Sequence, residues 1–262
     1  MNEKIQKLSE KCLQLVTADT QGNSFLGGTP NLGSKIEWPR KNNKPLAFIA
    51  QFDMSEINRE KLISWLPDCG RLLFFYDMDE WPWGFDPKDK GGWAVVYENG
   101  NEKINILEPP ADLDKDNIFP VTKYVKAIPF ISYPSAQRLN FAEVGLSDDD
   151  FEEYYDFIYD LYGAGPHHQV GGYPHSIQDD SMEEECQLVS NGIYCRSPEG
   201  YNSKEANALK EQENDWKLLF QFDSDDDIEA MWGDLGMLYF WVKESDAKKS
   251  DFSGTWMVLQ CG

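Results

Sequence analysis

The chain has 262 residues, 41% hydrophobic and 14% aromatic, enough for a sizeable core and too many for a disordered polymer. Its 46 acidic residues outnumber 24 basic ones, giving a formal charge of −22. That balance excludes a nucleic-acid partner, whose phosphate backbone calls for Lys and Arg clusters, and disfavours anionic membrane surfaces. A cytoplasmic setting is expected: Met1–Lys7 carry no signal-peptide core, and no apolar run reaches the roughly 18 residues of a membrane span. The five cysteines form no CxxC pair and read as free thiols in a reduced compartment.

Ile5, Leu8, Cys12, Leu15 and Val16 recur at helical spacing and predict a helix over residues 3–16. A polar linker leads to Gly27-Gly28-Thr29-Pro30, where two glycines call for positive φ or close backbone approach; no phosphate-loop pattern is present. The strand Leu46–Asp53 places Leu46, Phe48, Ala50 and Phe52 on one face, with Ile49 and Gln51 opposite. Apolar groups on both faces suit a strand deep in a sheet system. Asp53 followed three residues later by Glu56 is a capping pattern for a short helix. Further strands cover Leu72–Tyr76 and begin at Trp93. Between them, the aromatics Trp81, Trp83 and Phe85 form either a recognition surface or a lid over the core. Residues 108–120, with Pro109, Pro110 and Pro120, are the expected crossover. The strand Val121–Ile131 follows, its Pro129 signalling an edge or a bend.

The second half opens on a helix with Ser147 as N-cap, Asp148–Asp150 at its positive end and Gly163 as its stop. Phe151, Tyr154, Tyr155, Ile158, Leu161 and Tyr162 line one face of it. All three histidines, His167, His168 and His175, flank Gly171-Gly172-Tyr173-Pro174. With Asp179 and Asp180 nearby they could bind a transition metal, yet neither a His-x3-His helix pair nor HExxH is present. An insertion over Gln178–Asp215, rich in acids, reads as a long loop. Strands then cover Trp216–Asp223 and Leu238–Val242 and begin at Trp256. The run Asp223–Asp234 imitates a calcium loop but has Ile228 at the glycine position and Asp234 where Glu is expected. Asp223 with Asp226 therefore reads as a second cap.

The pieces of the two halves match in order: Gly-Gly-x-Pro, Gln51-Phe52-Asp53 against Gln221-Phe222-Asp223, Gly70 against Gly236, Trp93 against Trp256. The expected fold is mainly β with a few helices. It is one roll-like domain, 1–262, of two pseudosymmetric, internally duplicated halves, about 1–135 and 140–262, sharing a core. Gln51 and Gln221, at equivalent buried positions, are expected to hydrogen-bond backbone of a neighbouring segment.

Gly27-Gly28-x-Pro30, Glu37-Trp38-Pro39, Phe48-x-x-Gln51-Phe-Asp53, Leu66-Pro-x-x-Gly70 and Trp216-x-Leu-Leu-x-Gln221 resemble the YwqG-like family across nearly the whole chain. The resemblance implies a bacterial protein with a mainly-β, roll-like domain and no established catalytic residues. Its members' genomic company with polymorphic toxin systems implies an immunity-type role. The leading expectation is thus a non-enzymatic binding protein that meets a basic, toxin-like protein through its acidic surface, without cofactor or metal. Candidate contacts are Trp81, Trp83 and Phe85 with Asp179, Asp180, Glu183, Glu184 and Glu185. The alternative is a small-ligand or metal-dependent enzyme using an inter-lobe cleft and His167, His168 and His175.

Overall fold

Short runs of β-branched and aromatic residues, punctuated by Gly, Pro and Asp, fold here into strands. The computed structural model describes residues 3–33, 36–100 and 104–262. One antiparallel sheet contains ten strands: β1 (Glu10–Thr17), β2 (Phe25–Gly27), β3 (Ala47–Asp53), β4 (Arg71–Tyr76), β5 (Trp93–Glu98), β6 (Thr122–Ser132), β7 (His168–Val170), β8 (Trp216–Asp223), β9 (Met237–Lys243) and β10 (Trp256–Gln260). Their spatial order is β10-β9-β8-β7-β1-β6-β2-β3-β4-β5. The long pair β1 and β6, in register from Glu10 with Ser132 to Thr17 with Val125, forms its centre, with four strands on either side. Among the described residues no helix is long and apolar enough to cross a membrane.

The sheet curls until its edges nearly meet. Trp93 on β5 and Trp256 on β10 stand edge to face at 4.9 Å, and Trp93 Nε1 donates to the Thr255 carbonyl at 2.9 Å. Inside, Phe52 and Phe74 from β3 and β4 meet Phe220 and Phe240 from β8 and β9, with ring centroids 4.7–5.2 Å apart. Aromatic pairs of this kind contribute about 1 kcal/mol each beyond area burial. One apolar cluster therefore draws on strands from both ends of the chain, as a shared core requires.

The expected helix over residues 3–16 does not form. Only Glu3–Gln6 is helical, and Glu10–Thr17 is the strand β1. Leu13 and Leu15 alternate with half-buried Gln14, a period-2 pattern hidden under the helical spacing, and pairing to β6 and β7 on both sides decides it. The face assignment of β3 also needs correction. A register shift between Phe48 and Ala50 turns Phe48 into a second cluster with Phe25, Trp38 and Phe75, while Ala50 and Phe52 stay in the main core. The same irregularity falls between Leu218 and Phe220 on β8.

The segment carrying Pro109, Pro110 and Pro120 returns the chain from edge strand β5 to central β6. Pro129 pairs with Leu13 of β1, while β2 covers only Thr122–Tyr124, so its missing N–H falls outside that second pairing. Helix α1 (Phe151–Tyr162) ends on Gly163 as expected and buries Tyr154, Ile158 and Tyr162, but Tyr155 faces solvent. The insertion is helical where a loop was expected: α2 (Met182–Ser190), α3 (Pro198–Asn202), α4 (Lys204–Leu209) and a 3-10 segment Lys210–Asp215. Its Met182, Cys186, Leu188 and Val189 reach the main core, which supplies what the polar composition concealed.

Candidate functional site

The histidines sit around β7, and backbone geometry explains their positions. Gln221, fully buried, accepts the His175 backbone N–H and donates to the His167 carbonyl, both at 2.8 Å. Gln51 makes the same two bonds, accepting from Asn31 N–H and donating to the Asn23 carbonyl, again at 2.8 Å. The Asp53 amide donates to Ser24 Oγ, and the Asp223 amide donates to His168 Nδ1. His167, His168 and His175 thus stand where Asn23, Ser24 and Asn31 stand in the first half. The glycines between them have φ of +64° and +72° at Gly27 and Gly28, and +75° and +71° at Gly171 and Gly172. A Cβ on Gly172 would lie 2.3 Å from Ser132 Oγ, so both expected reasons for glycine hold there.

Ring nitrogens are committed as well. His167 accepts at Nδ1 from Gln14 at 3.3 Å and donates from Nε2 to Gln169 Oε1 at 2.9 Å. Protonation would set two donors against each other at Nδ1, and burial pushes the imidazole down to about 4. His168 Nε2 donates to Asp225 Oδ2 at 3.0 Å, its Nδ1 being occupied by the Asp223 amide. His175 stacks on Tyr162 at 4.1 Å, and its Nδ1 is the one nitrogen of the group buried without a partner. Among the described residues no three His, Cys, Asp or Glu side chains converge as a metal ion would need.

The calcium-like run is held by an internal cation. Lys123 Nζ lies 2.6 Å from Asp225 and 2.7 Å from Asp227. Although burial acts to raise it, these bonds and the one from His168 hold the Asp225 carboxyl well below the usual range. The capping expectation holds for Asp53, which accepts the Ser55 amide. Its proposed partner Glu56 instead holds Asn23 N–H and Ser24 Oγ. In the second half the cap shifts two residues, to Asp225, because Asp223 accepts the His167 amide at 2.7 Å.

Trp81, Trp83 and Phe85 form the lid. The Leu259 amide donates to the Trp83 carbonyl at 3.0 Å, Trp256 Nε1 donates to the Gly84 carbonyl at 2.8 Å, and the Cys195 amide donates to the Phe85 carbonyl at 3.0 Å. Trp81 packs on Tyr76 and Trp232, and the Arg196 guanidinium lies 5.4 Å over Trp83. The segment seals the exposed edge of β10 and leaves each aromatic half-buried.

Three of the five acidic residues, Asp180, Glu183 and Glu184, build one wall of a cleft. Arg138 binds Glu183 through both nitrogens, at 2.9 and 2.6 Å, and Asp180 Oδ1 at 3.0 Å, while its guanidinium lies 5.5 Å over Tyr173. Glu184 pairs with Lys210 at 2.7 Å. Glu185 is buried, accepts from Tyr201 Oη at 2.9 Å, and is pushed up to about 8 by burial and by the Asp179 carboxylate. Asp179 alone of the five is exposed, and it accepts from Ser181 Oγ. Thus most of the expected steering surface is engaged inside the protein.

The cleft has a volume of about 480 Å³ and runs from Arg138 and Glu183 to Glu213, Trp216 and Trp241. Burial and the charges of Glu184 and Glu183 raise the Glu213 carboxyl above its ordinary value. Arg138, Glu213 and Trp241 were invisible as a site in the sequence because they come from three separate segments. The one available signal was the isolation of Arg138, one of five arginines in the chain.

No curated protein matches this sequence. The family model of a domain of unknown function, DUF1963, matches residues 24–261, covering every strand of the sheet except β1. With nine-strand coverage of that extent, the chain belongs to the DUF1963 family.

Proposed function

We propose that the protein is a non-enzymatic binding protein of immunity type, which captures a basic, toxin-like protein partner on the face built by its acidic insertion. One observation carries this reading. The insertion, which has no equivalent in the first half, places Glu213 in the cleft of about 480 Å³, beside Glu183 and Glu184, which are paired with Arg138 and Lys210. The overall charge of −22 adds a long-range field that speeds capture of a basic partner. The engagement of His167 and His168 in scaffold bonds weighs against the enzymatic alternative.

The same reading takes 1–262 as one cytoplasmic, YwqG-like domain made of duplicated halves, about 1–135 and 140–262. The matched bonds of Gln51 and Gln221 support the duplication, as does the strand order, four strands outward from the β1–β6 pair on either side.

The test is affinity capture from native lysate at low salt, using the wild type and a variant with exposed Asp179, Glu205 and Glu211 changed to amides. The expected result is a stoichiometric partner of pI above about 9, captured by the wild type and depleted by the variant. A partner retained equally by the variant, or none at stoichiometric yield, defeats the reading.

A further inference from the structure

The cleft between α2 and the ends of β8 and β9 holds more carboxylate than its own cations satisfy. Glu10, Asp180, Glu183, Glu184 and Glu213 line it, against Arg138 and Lys217. Arg138 answers Asp180 and Glu183, and Lys210 answers Glu184 from outside. Glu213 has no hydrogen-bond or ion-pair partner through its side chain among the described residues; it is partly buried and sits against the charges of Glu184 and Glu183, which Lys210 and Arg138 offset in part. A cation placed there would relieve that repulsion.

Acid excess alone would not define a ligand, but the walls carry a second and independent signal. Trp241, 1% exposed, lines the cleft with its indole N–H unpartnered. The Asp180 side chain, 3% exposed, also lines it, and its Oδ2 is unpartnered. Arg138 Nε is a further unpartnered buried donor on the wall. Buried polar groups in folded proteins are nearly always satisfied, so orphan donors and an orphan acceptor beside one cavity point to a group that completes them. That group must bring a cation with several N–H donors and, close to it, a carbonyl or similar acceptor.

We propose that the cleft is a subsite for an arginyl residue of a peptide or protein. Its guanidinium meets Glu213 and Asp180, and its backbone carbonyl accepts from the Trp241 indole. This rests on the binding-protein reading and specifies the chemistry by which a basic partner is anchored.

The experiment titrates the intact protein with Nα-acetyl-arginine N-methylamide and with its citrulline counterpart, which is of similar shape but uncharged. The indole N–H resonances are followed by NMR and the affinity by calorimetry. The arginine probe should shift the Trp241 indole resonance. The citrulline probe and the Glu213→Gln variant should each bind about tenfold more weakly, the worth of one charge-assisted hydrogen bond. Because Trp241 is buried, the resonance of the wild type replaces any Trp241 variant as the readout. Equal binding of both probes, an unmoved Trp241 resonance, or full affinity in Glu213→Gln overturns the subsite. If capture from lysate still depends on Asp179, Glu205 and Glu211 while the probe fails, the subsite falls and the binding-protein reading stands. Loss of both sinks the two together.

Discussion

The seam between the lid and β10 offers a test of what closes the sheet. Gly84 has φ of +88°, and a Cβ there would lie 1.9 Å from the Met257 carbonyl oxygen and 2.9 Å from its carbon. Both atoms are backbone, so no rotamer can relieve the clash; the lid or β10 must move. Gly84→Ala thus imposes strain of about 1–2 kcal/mol for an alanine at positive φ. It also weakens two hydrogen bonds across the seam, Leu259 N–H to Trp83 and Trp256 Nε1 to Gly84, at about 1 kcal/mol each. The expected loss is about 3–4 kcal/mol. Gly192 provides the control, because its φ is +91° yet nothing lies within 4 Å of the place a methyl group would take. Gly192→Ala should lose only the strain, about 1–2 kcal/mol. Equilibrium urea unfolding reads both variants, and amide exchange at Leu259 should accelerate in Gly84→Ala alone. Losses equal within about 0.5 kcal/mol would refute the claim that the lid closes the sheet through this contact.

Two other changes probe the scaffold and its charges. Gln221→Ala leaves the His175 amide and His167 carbonyl without partners and should cost about 2–5 kcal/mol in urea unfolding; a loss below about 1 kcal/mol would show that water replaces the amide. Glu185→Gln should flatten the pH dependence of stability. The Glu185 carboxyl, raised from 4.5 to about 8, keeps its proton in the folded state after the unfolded chain has lost it, so its contribution is full below 4.5 and falls as pH rises to about 8. His167, lowered from 6.5 to about 4, gives the opposite slope below 6.5, so the clean window is pH 6.5–8. Identical wild-type and variant slopes there would contradict the burial argument.

Much of the sheet was legible because its short motifs recur along the sequence. Gln51 with Gln221 and Gly28 with Gly172 were readable as architecture, since a buried amide and a positive φ are demands of the backbone, whatever the function. The strand β1 was not, because Leu13, Leu15 and Val16 satisfy helical and strand spacing alike and only its neighbours choose. The face of Phe48 was hidden by a bulge, which leaves no mark on hydrophobicity. The helical insertion was obscured by its many acids, although Met182, Cys186 and Val189 already carried the spacing of a buried face. The cleft was out of reach for a different reason. Arg138 acts on Asp180 and Glu183 across more than forty positions of sequence, and nothing local encodes that meeting.

The histidine cluster shows how residue type and positional role come apart. His, Asn and Ser differ in almost everything that catalysis uses, yet His167 and Asn23 offer the same carbonyl to a buried glutamine, and His168 and Ser24 accept the same kind of amide. The matched bond at His167 uses only a backbone carbonyl, which any residue supplies, and the one at His168 requires a side-chain acceptor, not an imidazole. Both side chains also donate to a carboxylate, Ser24 Oγ to Glu56 and His168 Nε2 to Asp225. What differs is the next link: Asp225 also binds Lys123 of β6, which ties β6 to the β8–β9 turn. The residues around the cleft pass the opposite test. Asp180, Glu183 and Glu213 belong to an insertion with no first-half counterpart, so the folding of the sheet gives no reason for Glu213 to face two other carboxylates or for Trp241 to leave its indole N–H unpartnered. Such arrangements lower stability and persist where something else selects them, which is why the cleft, where an unpaired carboxylate and unpartnered buried groups coincide, is the first place to test for a partner.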